Sequence, residues 1–416
     1  MSFFIRRALT IVALIMSAPP LGAETLDPDL LSARMDRFFQ TEIADGRITG
    51  AVALSEQAGR VVLLKAYGNS DAAGKRPMKT DDLFRIASMT KPVVSVAAMM
   101  LVEEGRLGLD EPIAIYLPEL ARLTVWSADG VTTTPRRQPT VQDLMRHSGG
   151  FTYAPFGAAD PALRALYGKA DLEQIRSDFT REDMLGRLAT LPLAFEPGTR
   201  FEYSLGVDLL GFIIERIEGE RLDAVLKRRI LDPLGMAETR FAVSGDDVAR
   251  LAEAPNTDTM KPFTEGWMRV ARPRGDGYLS GGGGLVSTAE DYLRFARMVL
   301  NGGAVDGVRL LSPASVRLMT ADHIAGMASG PDTFTGPGYG FGLGFAVRRT
   351  DGGAIVAGSP GDANWSGLNG TTFTIDPQQD IVAILMAAAP SARNHLRFGF
   401  RNIVYGALKQ DGDTSN

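Results

Sequence analysis

The chain has 416 residues, 45% of them hydrophobic, and a formal net charge of −5 with no long run of one sign. Length and apolar content support a large core and about two to three domain-sized units, and the balanced charge gives no electrostatic face for nucleic acid. Cysteine is absent, which excludes a disulfide framework, a lipid-modified cysteine anchor, a cysteine nucleophile and thiolate metal sites.

Arg6 and Arg7 precede an apolar run over 8–16, and small residues lead on to Ala23. A positive start, a short apolar stretch and a small-residue end predict a secretory signal peptide over 1–23, cleaved after Ala23. The run is shorter than the roughly 20 residues a bilayer span needs. No stable membrane insertion is therefore expected once it is removed, and the expected location is periplasmic or secreted. A secreted chain without disulfides must rely on its packed core, and this one is long enough to do so.

The spacing of Leu30, Leu31, Met35, Phe38, Phe39 and Ile43 predicts a helix over 27–48. Two strand-like runs, 51–54 and 61–64, flank Gln57-Ala58-Gly59 and predict a hairpin. A run apolar almost all round, 93–102, follows Ser88 and Lys91 and predicts a buried helix ended by Gly105. Helices and long loops are expected from there to about 280, with a turn at His147-Ser148-Gly149-Gly150, helices over 209–217 and 225–230, and a close at Asp232-Pro233-Leu234-Gly235. The glycines 281–284 are read as a close-packed return, with a helix opening at Ser287-Thr288-Ala289-Glu290. Strands are expected over 342–347, 354–357, 371–375 and 381–386, then a final helix over 391–408. Strands at both ends and helices between predict an α/β (α+β) fold. An antiparallel sheet domain is drawn from 24–110 and 285–416, with a helical insertion over 111–284.

The chemistry narrows by elimination and by one motif. No Gly-x-Ser-x-Gly elbow, P-loop or dinucleotide fingerprint is present. The three histidines, His147, His323 and His395, include no HExxH pair, so neither a zinc site nor a histidine-based triad is expected, and His147 and His395 are read as structural or surface groups. No cofactor and no metal are called for. Ser88-Met89-Thr90-Lys91 is the one Ser-x-x-Lys. Three residues on a helix place both side chains on one face. Burying an amine disfavours its ammonium form, and a neutral amine beside a hydroxyl can activate a serine without histidine. Tyr203 follows the Pro197-Gly198 turn, just before a helix; a phenol held there is either core or a proton relay. Asn364-Trp365-Ser366-Gly367-Leu368-Asn369-Gly370 enters a strand, with glycines that let a ligand approach the backbone.

These three elements, in this order, resemble the serine β-lactamase and penicillin-binding superfamily. The resemblance is to class C-like members, and most of all to family VIII carboxylesterases, over nearly the whole mature chain. Phe84 to Lys91 resembles the nucleophile motif, Asp143 to Gly150 a family turn, and Pro197 to Ser204 the segment of the catalytic tyrosine. Asp232 to Met236 and Gly284 to Thr288 resemble further landmarks. The resemblance implies a β-lactamase-like fold in which Ser88 is the nucleophile and Lys91 and Tyr203 are the base and acid. It also implies an oxyanion pocket between the amides of Ser88 and Leu368. Two departures stand out. Leu205 occupies the position where β-lactamases carry Asn, and Trp365-Ser366-Gly367 stands where they carry Lys-Thr-Gly. Loss of a cation and of an amide donor leaves a more apolar pocket, lined by Trp365, Gly367 and Leu205, that suits an ester better than a carboxylate-bearing β-lactam or peptide. The expected partner is thus a small-molecule ester. A β-lactamase, a D-Ala-D-Ala carboxypeptidase, an acyltransferase and a non-catalytic penicillin-binding-like receptor are the alternatives. The sequence assigns no oligomeric state.

Overall fold

The computed structural model describes residues 24–127, 129–154, 157, 160–172, 179–267, 277–329 and 335–410. The expected signal peptide lies outside them. Seven strands form one antiparallel sheet. In chain order they are β1 (Gly50–Gln57), β2 (Arg60–Gly68), β3 (Tyr339–Phe341), β4 (Ala346–Arg348), β5 (Ala363–Ser366), β6 (Thr372–Asp376) and β7 (Ile381–Ala387). Their order across the sheet is β3-β4-β5-β6-β7-β1-β2. The early hairpin pairs with the late strands through β7, with Leu54 opposite Ile384 and Ala51 opposite Ala387.

Period-two alternation divides the sheet between two cores. Ala51, Ala53, Ile381, Ala383 and Leu385 face one side. There they meet Leu31, Met35 and Phe39 of helix α1 (Pro28–Ala44) and Leu396, Phe400 and Val404 of a C-terminal helix, Arg393–Tyr405. Val52, Leu54, Val382, Ile384 and Met386 face the other side and join the main core. Both faces are covered, so these strands read as continuous apolar runs. The main core holds α2 (Thr90–Glu103), with buried residues from Thr90 through Met99. Beside α2 lies α3 (Gly206–Glu218), and α4 (Ala289–Leu300), capped by the Thr288 side chain on the Asp291 amide, packs on the central strand β7. The C-terminal helix is α5. The antiparallel sheet with flanking helices expected from the sequence is thus present.

Three local expectations differ. Residues 354–357 form no strand: Ile355 is exposed, the Val356 and Ala357 carbonyls accept from Arg348 and Arg401, and the Ala357 amide donates to Asn402. With its polar backbone groups taken by side chains, the segment has nothing to offer a ladder. The run 342–347 is folded on itself, because the Gly342 amide donates to the Phe345 carbonyl (2.7 Å) and Gly344 takes φ +99°; the strands lie on either side, as β3 and β4. The helix expected over 225–230 ends at Leu226 and widens into a π-type turn, Lys227–Leu231. After α5 the chain also adds a short strand, Leu408–Gln410, paired with Glu24–Leu26.

Candidate active site

Ser88 sits in a 3-10 turn, Ala87–Met89, immediately ahead of α2, and not in the α-helix proper. Ala87 takes a left-handed φ of 45°, which turns the chain sharply between the short strand Phe84–Arg85 and the helix. Four contacts clamp this turn. The Ile86 amide donates to the Leu285 carbonyl (3.1 Å), and the Leu285 amide to Thr90 Oγ1 (3.1 Å). Tyr292 of α4 donates to the Met89 carbonyl (2.9 Å), and Thr371 Oγ1 to the Ile86 carbonyl (3.3 Å). The turn is therefore fixed by the glycine return, by α4 and by the start of β6 together.

Lys91 is 1% exposed, whereas Ser88 remains half-buried. The Lys91 amine donates to Ser88 Oγ (3.3 Å), to Tyr153 Oη (3.4 Å) and to the Gly282 carbonyl (2.7 Å). It also stands 4.6 Å from the centre of the Tyr203 ring. Ser88, Lys91 and Tyr203 are thus brought together from positions 88, 91 and 203. Tyr153 is the member that sequence reasoning missed. It follows the His147–Gly150 turn, and its partner is 62 residues away; a lone loop tyrosine carries no signal of that.

Trp365, on β5, packs on Tyr203 (ring centres 5.3 Å) and edge-on to Phe341 (5.0 Å). Gly367 follows the strand and presses on the nucleophile turn: a Cβ there would overlap the Ile86 carbonyl and Thr371 Oγ1. Leu368, next in the chain, is half-buried. Leu205 is 1% exposed, at the residue before α3. His147 is fully buried and accepts the Ser204 amide at Nδ1 (3.3 Å). Burial first, and then the charge of Lys91, hold its imidazole well below 6.5. The turn bearing His147 is held by Asp143, whose buried carboxylate binds Arg137, Arg146 (3.0 Å) and Ser148 (2.8 Å). Burial opposes that charge, yet these partners keep the carboxyl below its ordinary range.

One cation arrives from an unexpected element. Arg397 of α5 donates to the Gly367 carbonyl (2.5 Å). Part of the residue reaches solvent while its Nε is shielded. Burial, then the neighbouring Arg393, push the guanidinium down from its ordinary value, but arginine stays cationic at neutral pH. Among the described residues no group of three or more His, Asp or Glu could hold a metal ion, and no helix is long and apolar enough to cross a membrane.

The sequence model of the Beta-lactamase family matches residues 35–403. The chain belongs to this family. It is 32% identical to Esterase EstB of Burkholderia gladioli, over 92% of this chain and 97% of that protein. It is 33% identical to the lovastatin esterase of Penicillium rubens, over 76% and 84%. A solved structure, EstCE1, described as a hydrolase with promiscuous acyltransferase activity, superposes with a TM-score of 0.76 at 30% identity, covering 91% of this chain and 99% of that one. The protein is therefore a serine hydrolase of the β-lactamase family with esterases among its relatives, and the β-lactamase-like fold implied by the sequence is the one it adopts.

Proposed function

We propose that the protein is a carboxylesterase working through an acyl-enzyme on Ser88. The observation that carries this reading is the Lys91 amine, buried and held at once against Ser88 Oγ (3.3 Å), the Gly282 carbonyl (2.7 Å) and Tyr153 Oη (3.4 Å). An ammonium has three N–H donors for these three oxygens. A neutral amine keeps two, for Gly282 and Tyr153, and turns its lone pair to Ser88. One geometry thus serves both protonation states, as a general base requires. Ser88 Oγ attacks the ester carbonyl and its proton passes to Lys91. Tyr203, beside that amine, protonates the leaving alcohol, and then draws the proton from the water that cleaves the acyl-enzyme. The oxyanion is assigned to the amides of Ser88 and Leu368, on the two sides of the Gly367–Ile86 contact.

Trp365 packed at a tilt against Tyr203 supports an uncharged acyl pocket, and the esterases among the relatives point the same way. A second reading, a β-lactamase or D-Ala-D-Ala carboxypeptidase, draws support from Arg397, which returns a cation to the strand end where Trp365 has displaced lysine. The test is a parallel comparison of short p-nitrophenyl esters, nitrocefin and a D-Ala-D-Ala peptide on wild type and Ser88→Ala. Ester turnover well above the other two, lost in the variant, is the expected result. Nitrocefin turnover far above ester turnover gives the second reading, and full ester activity in Ser88→Ala removes the nucleophile assignment.

A further inference from the structure

We propose that Asp208 is the positioning residue for Lys91, acting through the Gly282 carbonyl. The proposal rests on the reading of Lys91 as the base for Ser88. Asp208 lies in the first turn of α3, five residues after Tyr203, and is 3% exposed. One oxygen of its carboxylate, Oδ1, gathers three donors from one short segment: Tyr278 Oη, Ser280 Oγ (2.6 Å) and the Gly282 amide (2.9 Å). Burial, followed by the charge of Asp208, raises Tyr278 well above its ordinary range, so it stays a phenol and keeps donating. A buried carboxylate is costly unless its hydrogen bonds are satisfied, and bonds to an ionised acceptor are the strong ones. Three of them converge here on the segment whose next carbonyl holds the Lys91 amine at 2.7 Å, its shortest contact.

The glycines make that approach possible. A Cβ on Gly282 would overlap the Asp208 carboxylate, and one on Gly281 would lie 2.6 Å from the Val207 carbonyl. Downstream, the same run is tied to the nucleophile turn by the pairing of Leu285 with Thr90 and Ile86. The Gly282 carbonyl is thus gripped between Asp208 on one side and the turn of Ser88 on the other. The segment 203–208 consequently delivers both the phenol beside Lys91 and the anchor that fixes where Lys91 points. Neither the tyrosine motif nor the Ser-x-x-Lys motif contains this residue.

The test uses Asp208→Asn, which keeps the side chain's size and removes its charge. On p-nitrophenyl butyrate, kcat is expected to fall by roughly 10- to 100-fold, the scale of a misplaced catalytic group, with KM within about twofold of wild type. The rate of Ser88 labelling by a fluorophosphonate should fall in parallel. Gly282→Ala should reproduce the loss, and the double variant should be no worse than the poorer single one, since both cut the same link. Should Asp208→Asn not fold, Tyr278→Phe and Ser280→Ala each remove one donor and are expected to lower kcat at unchanged KM. A wild-type kcat in Asp208→Asn, or additive losses in the double variant, would overturn the proposal. Ser88→Ala in the same assay separates the two failures: if it is inactive while Asp208→Asn is fully active, only this proposal falls, and if it is active, the underlying reading falls.

Discussion

The rings of His147 and Tyr203 lie 4.6 Å apart, centre to centre, at 56°. The Ser204 amide donates to His147 Nδ1, so the ring proton resides on Nε2 and the histidine grips the residue next to Tyr203 through an unprotonated nitrogen. Protonating that nitrogen would break the grip. Burial, and then Lys91, already hold the imidazole neutral.

That state has a thermodynamic signature. A histidine whose folded pKa lies below its unfolded value of 6.5 binds fewer protons folded than unfolded below that pH. Its contribution to stability is therefore complete above about pH 6.5 and is lost as the pH falls, at up to about 1.4 kcal/mol per unit. His147 has φ 55°, a conformation asparagine tolerates. Unfolding by urea from pH 7.5 to 5 should show stability falling in wild type, and a shallower fall in His147→Asn. Equal slopes would mean that the ring titrates freely when folded.

What the sequence shows of this molecule follows from locality. Helix α2 is legible because its burial is continuous along one stretch, and the β1–β2 hairpin because Ala58 and Gly59, both at positive φ, sit between two apolar runs. Ser88 and Lys91 are three residues apart, so their meeting is a property of one turn. Tyr153 meets Lys91 across 62 residues, Asp208 meets Gly282 across 74 and Arg397 meets Gly367 across 30, from a loop and two helices. Each is a common residue in an unremarkable local setting: Arg397 reads as the polar side of an amphipathic helix, and Asp208 as an acid in a first helical turn. Strand β5 escaped as a separate element because it is four residues long and alternates Ala and Trp inward with Asn and Ser half-exposed, too short a pattern to count. Trp365 replaces a cation at one position, and the fold brings Arg397 to the end of that strand from another.

Gly367 carries a sharp steric prediction. A methyl group there would run into the Ile86 carbonyl and Thr371 Oγ1, which themselves hydrogen bond. Gly367→Ala must push the end of β5 away from the nucleophile turn, separating the Leu368 amide from that of Ser88. Losing one oxyanion donor costs about 10² to 10³ in turnover, so kcat on p-nitrophenyl acetate should fall on that scale. Activity within threefold of wild type would place the oxyanion elsewhere.

Arg397 should discriminate between neutral and anionic substrates if its guanidinium faces the bound carboxylate. Its guanidinium fork is suited to a carboxylate, and a hydrogen bond to a charged group contributes about 1.5–3 kcal/mol. In Arg397→Ala, kcat/KM for nitrocefin, which bears a carboxylate, should fall at least about tenfold more than that for a neutral p-nitrophenyl ester. Arg397→Lys should recover only part, since an ammonium keeps the charge and not the fork. Equal losses on both substrates would reduce Arg397 to a support for the Gly367 carbonyl.

Ala87 offers a test of strain at the nucleophile. It is buried, carries a Cβ and yet takes φ 45°, a conformation that costs an ordinary residue roughly 1–2 kcal/mol. Glycine adopts it without that cost but adds about 0.5–1 kcal/mol of unfolded-state entropy, so Ala87→Gly should leave stability unchanged or raise it by up to about 1.5 kcal/mol. The same change frees the turn that aims Ser88 at Lys91, and kcat should drop several-fold even as the protein becomes no less stable. Urea denaturation and ester turnover measured on one preparation decide the matter. A variant destabilised by more than about 1 kcal/mol would show that the alanine methyl group contributes more by packing than its backbone loses by strain, and unchanged kcat would show that the four clamps on the turn fix Ser88 without help from Ala87.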